Sequence, residues 1–294
     1  LEHSPYLSAI IDGDVYLKLD NIQKTGSFKF RGAVSKMTSL TADEKSNGVV
    51  TASTGNHGAA CSLAMSILGI KGQIVVPENV HKNKVENILN LGGDVTYFGN
   101  DCINAEEHAQ EIAETTGSTY ISPYNDPDIV CGQGTMGVEI HEDLDSLDSV
   151  IISVGGGGLI SGVGGYLKSM NKNVSMIGVS PKNSCVMYES LKVGEQLDLP
   201  SKDTISDGTA GGVEIGSITF ELCQKIIDDF VLVTEDEITD GIRIGVEKHH
   251  QLIEGAAGAA IAGFLKQKEH IKGQTVIIVM CGGNIGSDVL KSIL

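Results

Sequence analysis

The sequence predicts an α/β protein made of two three-layer α/β/α domains with mostly parallel sheets, and three observations carry that reading. Apolar runs of strand length alternate with helical patterns, the alternation comes in two separate series, and a stretch rich in Pro, Asn and Asp stands between them. At 294 residues the chain can bury the cores of two such domains.

The first series runs 48-GVVTA-52, a helix from about Gly58 to Leu68, 73-QIVVP-77, a helix from about Lys82 to Leu91, and 94-DVTYF-98. This βαβαβ order is the signature of a parallel sheet covered by helices. The segment 121-ISPYNDPDIVCGQG-134 reads as a loop and joint. The second series holds strand 149-SVIISV-154, a helix near 159-LISGVGGYLKSM-170, strands 174-VSMIGV-179 and 230-FVLVT-234, a helix from about Glu237 to Leu252, a small-residue helix near 255-GAAGAAIAGFLK-266, and strand 275-TVIIVM-280. Between its second and third strands, 180–212 reads as loop with one short helix. In sheets of this kind ligands sit beyond the carboxyl ends of strands, so the residues just after each strand matter most.

Composition narrows the function. With 21 basic against 38 acidic residues the net charge is −17, which repels nucleic-acid phosphates and anionic lipid. No apolar run approaches the roughly 20 residues a bilayer span needs. Cys61, Cys102, Cys131, Cys185, Cys223 and Cys281 form no C-x-x-C pair, which fits reduced thiols and predicts a cytoplasmic setting. No nucleic-acid or membrane partner is expected.

Four motifs carry chemistry. After the strand ending at Val154 comes 155-GGGGL-159, where Gly155, Gly156, Gly157 and Gly158 let backbone N–H groups converge on a phosphate at a helix start; the alternative is a tight βα turn. Neither a dinucleotide fingerprint nor a P-loop fits the spacing. After strand 48–52 comes 53-STGNHG-58, whose Ser53, Thr54 and helix N–H groups suit a carboxylate, with Asn56 left to donate to a planar group; the alternative is an ordinary N-cap, and His57 alone reads as structural. At 281-CGGN-284 a thiol ends a strand, either buried as structure or bonded to a ring edge. In 25-TGSFKFRGA-33, Lys29 stands between Phe28 and Phe30 at a helix start. Both features disfavour the ammonium form and favour a nucleophilic amine; the alternative is a snorkelling surface lysine. A phosphate cradle, a carboxylate grip and an activated lysine are the parts pyridoxal phosphate chemistry requires.

On 23-QKTGSFKFRGA-33, 53-STGNHG-58, 132-GQGT-135, 155-GGGGL-159, 207-DGTAGG-212 with 234-TEDEI-238, and 281-CGGN-284, the chain resembles the serine/threonine dehydratase family of fold-type II, tryptophan synthase β-like pyridoxal-phosphate enzymes. The resemblance covers essentially the whole chain. It implies that Lys29 forms the internal Schiff base, that Phe28 and Gly208 flank the ring, and that Gly155 to Gly158 with Leu159 donate to the phosphate. It implies that Asn56 bonds the ring hydroxyl, that Cys281 meets the pyridine nitrogen, and that Ser53, Thr54, Gly55, Asn56 and His57 line the substrate carboxylate. It further implies a small domain of 48–125 inserted in a large one of 1–47 and 126–294, a homodimer, and water elimination from L-threonine or L-serine. Serine racemase is the main alternative.

Two departures bear on that expectation. Related racemases and some dehydratases hold a divalent cation just after the strand matching 174–179; here the positions read Ser180, Ser184 and Val186, so no bound metal is expected, with Lys182 a stand-in charge. Thr54 replaces the serine with which racemases reprotonate the far face, and a β-branched hydroxyl is stiffer. Thr54 with Ser180 is also similar to dehydratases of hydroxyectoine breakdown, which keeps 3-hydroxyaspartate or a hydroxyectoine-derived substrate open. No regulatory domain is expected after Asn284.

Overall fold

A computed structural model describes residues 1–80 and 82–294. Among these, ten strands form two sheets: β1 (Glu2–His3), β2 (Asp14–Leu19), β3 (Val49–Ala52), β4 (Gly72–Val76), β5 (Val95–Tyr97), β6 (Thr119–Tyr120), β7 (Ser149–Ser153), β8 (Ser175–Pro181), β9 (Asp229–Val233) and β10 (Thr275–Met280). One sheet has the order β1-β2-β10-β7-β8-β9 and is parallel except for the antiparallel pair β1/β2; the other, β5-β4-β3-β6, is parallel throughout. The α/β reading with mostly parallel sheets is borne out.

The chain divides into two compact units, Leu1–Phe28 with Gln133–Leu294, and Lys29–Gly132. All four strands of the smaller sheet fall within 48–125, and the unit also takes in the helix Lys29–Ser39, whose Ala33 and Met37 are buried in the core of that unit.

In the larger unit β7 is buried at every position and β10 at all but its first, and their central residues are apolar, as strands covered on both faces must be. The small-residue helix Gly255–Gln267 is buried almost throughout. Its Gly258 lies so close to the helix Glu235–His249 that a Cβ there would come 2.6 Å from Ile242 Cγ1. Glycine is what permits that crossing.

The stretch 121–134 departs from its loop reading, because the helix Pro127–Asp143 begins inside it. Asp126 is the reason: its carboxylate accepts the N–H groups of Asp128 at 2.8 Å and Ile129 at 3.2 Å, while Pro127 takes the first-turn position where a missing N–H costs nothing. Asn-Asp-Pro is a helix start here. Within 180–212 the short α-helix is Val186–Val193, and a single 3-10 turn follows at Asp207–Thr209.

Each sheet reverses its strand order once. In the larger, the chain runs outward from β7 to β9 and returns at β10 on the other side of β7; in the smaller, it runs from β3 to β5 and returns at β6 on the other side of β3. Crevices at the carboxyl ends of such switch points are where open α/β sheets bind ligands.

Candidate cofactor and catalytic site

In the larger unit the switch point presents the glycine run after β7 and Cys281 after β10. Val154 fastens the turn: its N–H donates to Val179 O at 2.7 Å, and its carbonyl accepts the Ser180 hydroxyl at 2.6 Å. Gly157 then adopts φ +83°, and the helix Gly158–Met170 starts. No backbone N–H from Gly155 to Leu159 donates to a protein acceptor among the described residues, although Gly157, Gly158 and Leu159 are buried. Buried N–H groups almost always find a partner, and unpartnered N–H groups at a helix start suit a phosphate dianion.

The cradle admits no side chains at two positions. A Cβ on Gly155 would lie 2.9 Å from Thr209 Cα and O, and one on Gly157 would lie 2.7 Å from Cys223 Sγ. Thr209 closes the turn Asp207–Thr209 that carries Gly208. The cradle and the Gly208 turn are thus packed backbone to backbone.

Cys281 is buried, with Sγ 3.5 Å from Ser153 Oγ. Burial and then the charge of Glu254 push its thiol up to about 12, so it stays a neutral thiol. Phe28 is fixed beside it, its N–H donating to Cys281 O at 3.0 Å. Sequence reasoning missed Glu254, which is 3 % exposed, accepts the Asn284 N–H at 3.1 Å and would collide at 2.6 Å with any Cβ on Gly282. Its signal was a lone carboxylate set between apolar residues 252–253 and the small-residue helix.

In the smaller unit the switch point presents Ser53 to His57 after β3 and Ile121 to Pro123 after β6. Ser53 Oγ accepts the Gly55 N–H at 3.2 Å, and the helix Asn56–Leu68 starts at once. Ser53, Thr54, Gly55 and Asn56 keep some exposure there; His57 is buried. Lys29, the first residue of its helix, donates from Nζ to Pro123 O at 2.8 Å. His57 donates from Nε2 to Ile121 O at 3.0 Å, so its place is under the loop. The carbonyls of Ile121 and Pro123 were invisible to sequence reasoning, since every residue carries one.

Burial, then the positive charge of Lys29, push His57 down from 6.5 to about 3. Unfolding frees this imidazole to take up a proton, so its contribution to stability is complete above pH 6.5 and is lost as pH falls toward 3. Urea unfolding midpoints should therefore drop across that window in the wild type and drop less steeply in His57→Gln. Parallel slopes for the two proteins would refute the assignment.

The sequence-predicted residues thus fall into two groups. Phe28, Gly155 to Gly158, Leu159, Gly208 and Cys281 lie in the larger unit; Lys29, Ser53, Thr54, Gly55, Asn56 and His57 lie in the smaller. Among the described residues no three His, Cys, Asp or Glu side chains are grouped as a metal would need, and no helix is long and apolar enough to cross a membrane.

Two mostly parallel sheets, one ending in a glycine turn with unpartnered N–H groups and the other in a turn beside a lysine amine, are the features expected of an enzyme that works through a phosphate-bearing aldehyde. The chain belongs to the pyridoxal-phosphate dependent enzyme family, whose model matches residues 1–282, and within it to the fold-type II threonine/serine dehydratases with their racemase-like relatives. It is 42% identical over 294 residues to the L-threonine ammonia-lyase of Thermotoga maritima, covering all of this chain and 73% of that one. With the catabolic L-threonine dehydratase of Escherichia coli it shares 38% over 287 residues, covering 97% and 87%. Among solved structures, the processed form of threonine deaminase isoform 2 from Solanum lycopersicum superposes with a TM-score of 0.96 at 36% identity, over 100% of this chain and 86% of that one. Maize serine racemase superposes with 0.92 at 31%, over 99% and 89%.

Proposed function

We propose that the chain eliminates water from a β-hydroxy amino acid, L-threonine first and L-serine with it, giving a 2-oxo acid and ammonia. The observation that carries this reading is the Lys29 amine, held 2.8 Å from Pro123 O at the carboxyl end of the sheet whose Ser53–Asn56 turn suits a carboxylate. The threonine-specific names of the relatives support the substrate.

Pyridoxal phosphate, when bound, supplies an aldehyde that condenses with an amine and a ring that accepts electrons from the α-carbon. The N–H groups of Gly155 to Leu159 would hold its phosphate, and Cys281 would meet its ring as a neutral thiol. Ser53, Thr54 and Asn56 bind and orient the substrate carboxylate. Lys29, its amine released, takes the α-proton as general base. Water leaves from the β-carbon; the enamine set free then takes up one water in solution and loses ammonia.

A second reading, serine racemisation, is favoured by the likeness to maize serine racemase and disfavoured by the stiffer Thr54 in place of a serine. One experiment separates them: the holoenzyme is given L-threonine, L-serine and 3-hydroxyaspartate, and 2-oxo acid, ammonia and the chirality of the remaining amino acid are measured. Ammonia from none of them would overturn the dehydratase reading, and D-serine without ammonia would install the racemase. Chelator in the same assay is expected to leave the rate unchanged. Ser180 spends its hydroxyl on Val154 O, Ser184 is bonded to Ser201 Oγ at 2.8 Å and to the Gly211 N–H at 3.1 Å, and Val186 has no side-chain oxygen. Loss of rate restored by magnesium would contradict that.

A further inference from the structure

We propose that His57 is a positioning residue for this reaction: through the Ile121 carbonyl its imidazole fixes the segment that holds the Lys29 amine. The inference rests on Lys29 being the reacting amine.

Ile121, fully buried just beyond β6, is fastened at both of its backbone polar groups. Its N–H donates to Val50 O at 2.9 Å, and its carbonyl accepts both the Thr51 hydroxyl at 2.7 Å and His57 Nε2 at 3.0 Å. Two donors use both lone pairs of that oxygen. From there to the Pro123 carbonyl the chain has little freedom: the proline ring locks φ of Pro123, and a residue preceding proline is held extended, which limits Ser122. The Ser122 hydroxyl secures the far side by accepting the Asn125 N–H at 2.9 Å. The acceptor for Lys29 Nζ is therefore placed by groups two residues upstream.

The imidazole is itself held. A carbonyl can only accept, so Nε2 carries the proton; Cys61 Sγ lies against the ring, 3.6 Å from Nε2 and 3.9 Å from Nδ1. Burial keeps that thiol neutral, pushed up to about 12. A neutral ring here also spares Lys29 a second cation close by. An amine bonded to a fixed oxygen has its lone pair aimed, and misplacement of a catalytic group by about 1 Å costs on the order of a hundredfold in rate.

The test uses His57→Leu, which removes the donor, His57→Gln, which keeps an N–H, and Thr51→Val, which removes the other donor to Ile121. Two quantities are read: steady-state kinetics of the holoenzyme with L-threonine, and the rate at which apoenzyme regains its visible absorbance when pyridoxal phosphate is added. His57→Leu is expected to lower kcat roughly tenfold to a hundredfold with KM changed by less than about threefold, and to slow absorbance recovery comparably. His57→Gln should restore most of both, and Thr51→Val should move both the same way by less. A raised KM with kcat intact would make His57 a substrate contact and overturn the proposal, as would a glutamine variant no better than leucine. Should His57→Leu not fold, the other two variants decide by the same criteria. Should the wild type turn over no β-hydroxy amino acid, the dehydratase reading fails while absorbance recovery still tests His57.

Discussion

Lys29→Ala is expected to lose turnover entirely by a 2-oxo acid assay, a fall of at least about ten-thousandfold, because in the proposed reaction one atom is both the covalent attachment and the base. A positioned general base alone is worth about 10²–10⁴ in rate, and loss of the nucleophile removes a second contribution. The variant should also lose the visible absorbance that the wild type shows with cofactor bound, and borohydride reduction should label the wild type at Lys29 and nowhere else. The fold should survive. Lys29 opens the helix Lys29–Ser39, alanine is the best helix former, and the apolar anchors of that helix, Ala33 and Met37, are untouched. Retained absorbance and turnover in a folded Lys29→Ala protein would exclude the lysine from the chemistry.

The flanking phenylalanines have a plain structural account. Phe28 packs against the core of the larger unit and Phe30 against the core of the smaller.

Much of this was legible in the sequence because the features depend on residue type. Parallel strands buried on both faces must be near-continuous apolar runs, and β7 and β10 are; a backbone cradle must be glycine, and Gly155 and Gly157 are the positions where a Cβ has no room. What stayed hidden depends on geometry that many sequences share. β6 is two residues long and has no period to detect. The Pro123 and Ile121 carbonyls are backbone atoms, and only folding decides which carbonyls an amine or an imidazole will reach. Asp126 and Pro127 were visible but ambiguous, since the same pair serves loops and helix starts, and the choice falls to Ile129, whose burial rewards the helix. His57 showed its type and not its partner: it is buried on the first turn of its helix and donates to Ile121 O.

Gly157→Ala is expected to weaken cofactor binding strongly. Alanine at φ +83° carries a left-handed penalty of about 1 kcal/mol, and here its Cβ would also lie 2.7 Å from Cys223 Sγ and 3.1 Å from Met187 Cε. Overpacking of that kind costs about 1–3 kcal/mol or forces the backbone to shift, and a shift would turn the N–H groups proposed to hold the phosphate out of place. Cofactor affinity is expected to fall on the order of a hundredfold, measured by equilibrium dialysis of pyridoxal phosphate. Gly194→Ala isolates the conformational part: Gly194 has φ +84° with nothing within 4 Å of a new Cβ, so it should lose about 1 kcal/mol of stability and none of its affinity. Removing the obstructing sulfur supplies the other half of the argument. In Gly157→Ala combined with Cys223→Ala the overlap with sulfur is gone while the left-handed penalty stays, so affinity should recover in part. Equal losses in Gly157→Ala and Gly194→Ala would show that conformation alone, and not the walls behind the cradle, holds those N–H groups in place.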